Sequence, residues 1–304
     1  MHLSLSSSLN IYFETSLNVV LKELFDVNVS VISETTTTGG SINETSILQL
    51  DNDQKVFIKK NKSSLKNMFK AEAEGLLAMS EIEGGPRIPG IMAVIQNNDY
   101  QYLILEAIEQ HKPGDDFWQK FGKSLANMHK KKFSQYGFEI DNYIGATEQK
   151  NQFENDWISF FREHRLGYQS KLAFDSGLIS LSEFKKFEEF QNRLSEYIEK
   201  DNFYPSLLHG DLWSGNYMVD ENGNPVLIDP AVYYGDAEAD LAMTMLFGRF
   251  SEEFYQSYFD TFGPPDNGFE DRMEIYQLYH LLNHLNLFGK SYLSACLKIV
   301  NKFS

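Results

Sequence analysis

A chain of 304 residues with 42% hydrophobic content has enough apolar material for one large domain or for two lobes. Its net charge of −16 disfavours nucleic acid or an anionic membrane surface as the main partner, and no apolar run reaches the length of a membrane span. The single cysteine, Cys296, rules out an internal disulfide, and the opening MHLSLSSSLNIYFETS lacks the basic start and sustained apolar core of a secretory signal. The expectation is therefore a cytoplasmic protein whose partners include neither a membrane nor nucleic acid.

Residues 1–25 read as a helix, with Leu17, Val20, Leu21 and Leu24 on one face. Residues 27–32 alternate toward a strand, TTTTGGSIN (35–43) is a turn, and residues 44–50 return to β-like composition. After the turn Asp51-Asn52-Asp53 comes a third strand over 56–59. A helix over 64–80 stops at Gly84-Gly85-Pro86, and two more strands, 91–95 and 102–106, flank Asn97-Asn98-Asp99. From Asp115 onward helical patterns dominate, with one hairpin interrupting them. This order predicts an α+β protein of two lobes: a β-rich N-terminal lobe over 1–106, a hinge over 107–114, and a mainly helical C-terminal lobe over 115–304.

The hairpin lies within the most informative stretch, HGDLWSGNYMVDENGNPVLIDPAVYYGDAEADLA, residues 209–242. Asp211 precedes Asn216 at the spacing of a protein-kinase catalytic loop, H-x-D-x-x-x-x-N, and Asp229 follows one hairpin later. The chemistry explains the spacing. An Asp at the loop tip accepts the proton of an attacking hydroxyl, an Asn carbonyl oxygen reaches a metal, and a later carboxylate joins it, since Mg²⁺ prefers hard oxygen ligands shared with phosphate. Strands over 217–219 and 226–228, with Asn222-Gly223 supplying positive φ at the turn, would bring Asn216 and Asp229 together. The pattern is that of an ATP- and Mg²⁺-dependent phosphotransferase. The acidic balance does not oppose this, because a local set of Lys, Mg²⁺ and backbone N–H groups holds phosphates on an acidic protein.

On the nucleotide side neither G-x-x-x-x-G-K-[ST] nor G-x-G-x-x-G is present. Gly39-Gly40 between two strands is the candidate cover for the phosphates. Lys59 ends the run V-F-I-K, where kinases keep the lysine that contacts phosphate. Strand alternation places Lys59 and Lys60 on opposite faces without choosing between them; the motif selects Lys59. In the next helix Glu72 sits at the centre of a stripe formed by Leu65, Phe69, Leu76 and Met79, whereas Glu74 is expected to face solvent. A carboxylate in an apolar stripe needs a charged partner, and Lys59 is the natural one.

HGDLWSGN, IDPAVYYGDAEADLAMT, GGSINE, VFIKK and LLNHLNLFG, together with DNYIGATEQKN and the later W-x-x-F-F-R-x-x-R-L, resemble the fructosamine kinase (ketosamine-3-kinase) family over about residues 20–300. That family is related to aminoglycoside phosphotransferases and choline kinases, and more distantly to protein kinases. The resemblance implies a two-lobed protein-kinase-like fold and ATP-dependent phosphorylation of the third-carbon hydroxyl of a sugar joined to an amine, which promotes deglycation. The acceptor would be a small glycated amine or a glycated protein lysine. Carried over by position, Asp211 is the proton acceptor and Asn216 and Asp229 bind Mg²⁺. Lys59 with Glu72 holds the phosphates under Gly39-Gly40, and Glu106, Ala107 and Ile108 lie beside adenine. Asp240 resembles the acidic residue that braces the catalytic loop. One departure is Ala237, where the bacterial pattern G-D-R-E-x-D has arginine.

Trp213, inside the catalytic loop, is either a stacking surface for the acceptor or a core residue bracing the loop. Arg162 and Arg165 read as solvated helix-surface residues, and His280 and His284, at i and i+4 without a third ligand, as packed or polar-face histidines rather than a zinc site. Two other functions fit the same residues: a kinase for another hydroxylated amine of aminoglycoside or choline type, and a nucleotide-binding pseudokinase. Intact Asp211, Asn216, Asp229, Lys59 and Glu72 argue against the second.

Overall fold

Apolar residues at alternate positions build the first sheet. Leu48, Leu50, Val56, Ile58, Ala93, Ile95 and Ile104 are buried in one cluster with Val20 and Leu21 of the first helix. The computed structural model describes residues 9–25, 27–37, 42–198, 200 and 203–303. Strands β1 (Ile11–Phe13), β2 (Val31–Thr36), β3 (Glu44–Leu50), β4 (Lys55–Lys62), β5 (Ile91–Gln96) and β6 (Tyr100–Glu106) pair in the order β1-β5-β6-β4-β3-β2. All pairs are antiparallel except β1 with β5. Helix α1 (Leu17–Phe25) follows β1, and α2 (Met68–Ser80) lies between β4 and β5.

Three expectations need correcting. Residues 1–8 of the helix expected over 1–25 lie outside the described residues, and among the described ones it spans Leu17–Phe25; Ile11-Tyr12-Phe13 instead pairs in parallel with Val94-Ile95-Gln96, because a β-branched and aromatic run suits an available sheet edge. The strand expected over 27–32 begins only at Val31. Glu74 does not face solvent: it is 9% exposed, because α2 is covered on most of its circumference, with Met68, Phe69, Ala71, Ala73, Leu76, Ala78 and Met79 all buried.

The chain divides into two compact units, Met1–Phe117 with Gly215–Pro230, and Trp118–Ser214 with Ala231–Ser304. The hairpin 215–230, counted at first with the helical lobe, thus groups with the β-rich unit. In the second unit α3 (Phe117–Lys130) leads to a small hairpin, β7 (Asn142–Ile144) with β8 (Thr147–Gln149). Helix α4 (Trp157–Phe160) opens on Asp156, whose carboxylate accepts from the Ser159 N–H, and then widens to π geometry over Phe161–Gly167 before α5 (Tyr168–Asp175). A capping box between Ser180 and Glu183 starts α6 (Leu181–Asn192), and α7 (Ser195–Ile198) follows.

Strand β9 (Ser206–Leu208) precedes the hairpin strands β10 (Tyr217–Val219) and β11 (Pro225–Leu227) in the chain, and β12 (Tyr233–Gly235) follows them. β9 pairs antiparallel with β12. The unit is completed by α8 (Glu238–Leu246), α9 (Glu252–Phe262), α10 (Phe269–Phe288) and α11 (Leu293–Lys302). Helix α10 buries residues on several faces, among them Ile275, Tyr276, Leu278, Leu282 and Leu285, as befits a helix packed against α5, α8 and α11. The β-rich first unit and mainly helical second unit make this an α+β protein. Among the described residues no helix is long and apolar enough to cross a membrane.

Candidate active-site residues

In the first unit the candidate side chains gather around one lysine. The β4 backbone carries Lys59 inward, where its side chain is 4% exposed, and Nζ lies 2.6 Å from Glu72 Oε1 and 2.7 Å from Asp229 Oδ1. Burial alone pushes the ammonium toward its neutral form; Asp229 and then Glu72 outweigh it and raise the Lys59 pKa. The lysine is therefore charged and shared between two carboxylates. The Glu72 partnership was legible in the sequence, whereas the Asp229 one was not, since 170 residues separate the pair. Lys60 turns the other way, to Glu44 at 2.8 Å and over the Tyr100 ring.

The hairpin that carries Asn216 and Asp229 is held by its own turn and by a neighbouring segment. Tyr217, Met218 and Val219 pair with Leu227, Val226 and Pro225, and the Ile228 N–H donates to the Asn216 carbonyl at 3.1 Å, which ties together the ends that bear the two candidate metal ligands. At the turn only Gly223 takes positive φ, at 75°, and Asn222 does not. Asp220 organises the loop instead, accepting from the N–H groups of Asn222 and Asn224 at 2.9 and 2.8 Å. A side chain at 223 would meet the Gly114 backbone nitrogen at 2.7 Å. Asp229 itself sits at φ 57°, a left-handed conformation that costs energy for a non-glycine residue. Its side chain remains 42% exposed, while Asn216 is 7% exposed.

Arg87, directly after the helix stop Gly84-Gly85-Pro86, is not singled out by the sequence. It donates to Glu106 Oε1 at 2.6 Å and to Asp220 Oδ2 at 3.0 Å, and its carbonyl accepts from the Leu227 N–H. Glu106 therefore spends its carboxylate on Arg87 and on the Gly90 N–H, leaving its backbone, with that of Ala107 and the buried Ile108, as the expected lining beside adenine. Downstream, the His111 N–H donates to the Val219 carbonyl and the Gly114 N–H to the Gly223 carbonyl, so the segment expected as a hinge is anchored to the hairpin. Gly39 and Gly40 lie outside the described residues.

In the second unit the loop His209-Gly210-Asp211 leaves β9 and is gripped by one buried carboxylate. Asp240 Oδ2 accepts from the His209 N–H at 2.7 Å and Oδ1 from the Gly210 N–H at 2.8 Å, and His129 Nε2 lies 3.2 Å from the same Oδ2. Burial pushes the Asp240 carboxyl up, yet the His129 hydrogen bond and charge, His209 and the Gly210 N–H hold it below the ordinary aspartate value. Tyr258 extends the chain to His129 Nδ1 at 2.8 Å. Gly210 has φ 82°, and a Cβ there would lie 2.0 Å from the Ala231 carbonyl oxygen. The Asp211 N–H donates to His209 Nδ1 at 3.2 Å, and the Asp211 side chain is 21% exposed.

The β7–β8 hairpin fixes the chain after Pro230. Asn142 and Gln149 donate to the Val232 and Ala231 carbonyls at 2.7 and 3.0 Å, and the Tyr279 hydroxyl donates to Gln149 Oε1. Arg165 is fully buried, contrary to the surface reading: it donates to the Lys150 carbonyl and Asn151 Oδ1 and stacks 3.9 Å from the Tyr233 ring centroid. Arg162, by contrast, pairs with Glu163 near the surface. The carboxylates on either side of Ala237 are met by cations from elsewhere in the chain. Lys200 binds Asp236 at 2.8 Å and Glu238 at 3.1 Å, and Arg272 forms a two-pronged pair with Glu238.

Trp213 is 37% exposed and so is not a core residue. It meets Phe247 edge-on, Phe247 touches the His284 ring, and His284 contacts Phe288 and Tyr292, making an aromatic row that starts two residues from Asp211. His280 is buried and His284 donates Nδ1–H to its carbonyl.

A family model described as fructosamine kinase matches residues 14–304. The chloroplastic protein-ribulosamine 3-kinase of Arabidopsis thaliana is 42% identical over 269 residues, covering 87% of this chain and 80% of that protein. A candidate fructosamine-3-kinase from Haemophilus somnus 129PT, of known crystal structure, is similar at a TM-score of 0.85 and 29% identity over 95% of this chain and 96% of the other. ADP-bound aminoglycoside phosphotransferase APH(2'')-Ib, 14% identical with a TM-score of 0.60 over 93% and 96% of the two chains, shares the kinase-like fold.

Proposed function

The chain belongs to the fructosamine kinase family of phosphotransferases, and from that premise we propose that it transfers the γ-phosphoryl group of ATP to the third-carbon hydroxyl of a ketosamine, a ribulosamine, erythrulosamine or fructosamine, and so promotes deglycation. The observation that carries the nucleotide side is the charged Lys59 held between Glu72 and Asp229. That lysine binds phosphate oxygens. Asn216 and Asp229 suit Mg²⁺, since an amide oxygen and a carboxylate are both hard donors and the hairpin ties their backbones together. Magnesium, when bound, neutralises phosphate charge and orients the transferring group.

Asp211 accepts the acceptor hydroxyl's proton as the oxygen forms its bond to the γ-phosphorus and ADP departs. Asp240 keeps the loop backbone in place, and the backbone of Glu106, Ala107 and Ile108, with Gly39-Gly40, receives the nucleotide. Trp213 stacks on the sugar or its aglycone, a role its exposure supports. The acceptor is a small glycated amine or a glycated protein lysine, met in the cytoplasm.

Purified protein with Mg²⁺ and ATP is assayed against ribulose-, erythrulose- and fructose-lysine, with Asp211→Asn as control. Turnover that depends on the ketosamine and falls about 10³-fold in the control is the expected result. ATP binding without turnover on any ketosamine would redirect the reading to another hydroxylated amine.

A further inference from the structure

Helix α10 presents to Asp211 a histidine that the transfer step above does not employ. His280 is 3% exposed, its Nδ1 is buried with no hydrogen-bond partner among the described residues, and that nitrogen lies 3.9 Å from Asp211 Oδ1. A buried ring nitrogen left unmatched is unfavourable, so the position carries a standing penalty beside the candidate base. Its surroundings are crowded with titratable groups. Tyr279 and His284 flank it on α10, Asp211 and Asp240 approach from the catalytic loop and α8, and Arg165 stands on the π-helical turn.

The ring is uncharged. Burial, helped by His284 and Arg165 and opposed by Asp240, pushes its pKa down to about 3. A neutral imidazole has two tautomers. With hydrogen on Nδ1 it offers a donor to the carboxylate; with hydrogen on Nε2 it turns a lone pair toward it. Only the first is attractive.

Resting on the ketosamine-kinase reading, we propose that His280 is a positioning residue for Asp211: its Nδ1–H closes onto Oδ1 when the acceptor is in place, leaving Oδ2 to face the acceptor hydroxyl. A separation of 3.9 Å is longer than a hydrogen bond, and such contacts tighten in the substrate complex. No proton passes to His280. The hydroxyl proton moves to Asp211 Oδ2, the hydroxyl oxygen bonds to the γ-phosphorus, and the bond from that phosphorus to the ADP oxygen breaks. The donated hydrogen bond also stabilises the carboxylate, lowering the pH at which Asp211 takes up a proton.

The test compares His280→Leu and His280→Asn with the wild type by kcat, by KM for each substrate, and by the acid limb of the kcat/KM pH profile. Leucine should lower kcat about 10²-fold, leave KM for ATP within about twofold, and move the acid limb to higher pH. Asparagine, whose amide N–H replaces Nδ1–H, should restore most of both. A folded leucine variant with unchanged kcat and acid limb, or an asparagine variant no better than leucine, overturns the proposal.

Nitrogen-15 NMR of the wild type decides the matter without either variant's folding. Hydrogen on Nδ1, with a signal that shifts in Asp211→Asn, supports the positioning role; hydrogen on Nε2 alone refutes it. Absence of turnover on every ketosamine would sink the acceptor assignment, and the NMR result would still decide the His280–Asp211 contact.

Discussion

Lys59 Nζ stands 2.7 Å from Asp229 Oδ1, so the lysine expected at phosphate and the carboxylate expected at magnesium are hydrogen-bonded to each other. If Asp229 takes Mg²⁺ and Lys59 takes phosphate, as proposed, the hydrogen bond they share couples metal binding to nucleotide binding.

Asp229→Asn should therefore remove most of the magnesium dependence of nucleotide affinity. Calorimetric titration of ATP analogue with and without Mg²⁺ measures it: wild type should gain about tenfold or more from the metal and the variant about twofold or less. Lys59→Met should weaken nucleotide binding in both conditions. Equal magnesium dependence in wild type and Asp229→Asn would remove Asp229 from the metal site.

Trp213→Leu should raise KM for a ketosamine by up to about tenfold while leaving KM for ATP unchanged, since aromatic contacts contribute about 0.5–1.5 kcal/mol beyond area burial. Steady-state kinetics with each substrate varied in turn measures this. An unaltered acceptor KM would assign the indole to the fold of the loop alone.

Gly210→Ala should unfold the loop rather than tune it. The added Cβ would sit 2.0 Å from the Ala231 carbonyl oxygen, against backbone that has no side-chain torsion to relax. A melting temperature lower by about 10 °C or more is expected by calorimetry. A variant as stable as wild type would mean that the 209–211 and 231 backbones separate readily.

His280 predicts a pH dependence of stability. Its folded pKa, about 3, lies below the ordinary histidine value, so the unfolded chain binds its proton first as pH falls. Stability contributed by the neutral ring is thus present above about pH 6.5 and is lost progressively down to about pH 3, at up to about 1.4 kcal/mol per pH unit. Asp240 acts in the same direction at lower pH: its lowered pKa supplies stability above about pH 4 that is lost as the folded carboxyl protonates. Calorimetric unfolding of His280→Asn at pH 5 should take up about one proton fewer than wild type. Equal proton uptake would show that His280 titrates normally.

Much of this was readable because local chemistry carried it. The V-F-I-K motif singles out Lys59, and Glu72 betrays itself as a charge in an apolar stripe, so their ion pair follows from residues thirteen apart. The loop spacing from Asp211 to Asn216 is likewise local. What remained hidden depends on long-range meetings. Nothing near Arg87 signals that it joins Glu106 to Asp220, and Arg165 reads as a surface residue because burying an arginine requires Tyr233 from 68 positions away, a partner that sequence periodicity does not reveal. Ile11–Phe13 was absorbed into the neighbouring helix for the same reason: a three-residue parallel strand exists only through its pairing with β5.

The excursion of residues 215–230 into the first unit constrains biosynthesis. A ribosome delivers Met1–Phe117 first, yet that unit lacks the hairpin, and with it the second carboxylate on Lys59, until Pro230 has emerged. Between those moments Lys59 has Glu72 alone, and the Arg87 carbonyl that later accepts from the Leu227 N–H is unmet. Every strand of the N-terminal sheet has been made by Glu106, but completion of the unit waits for nearly a hundred residues of the second unit to be made. Nascent chains arrested before Asn216 should accordingly remain protease-sensitive in the first unit, and those extended past Pro230 should become resistant.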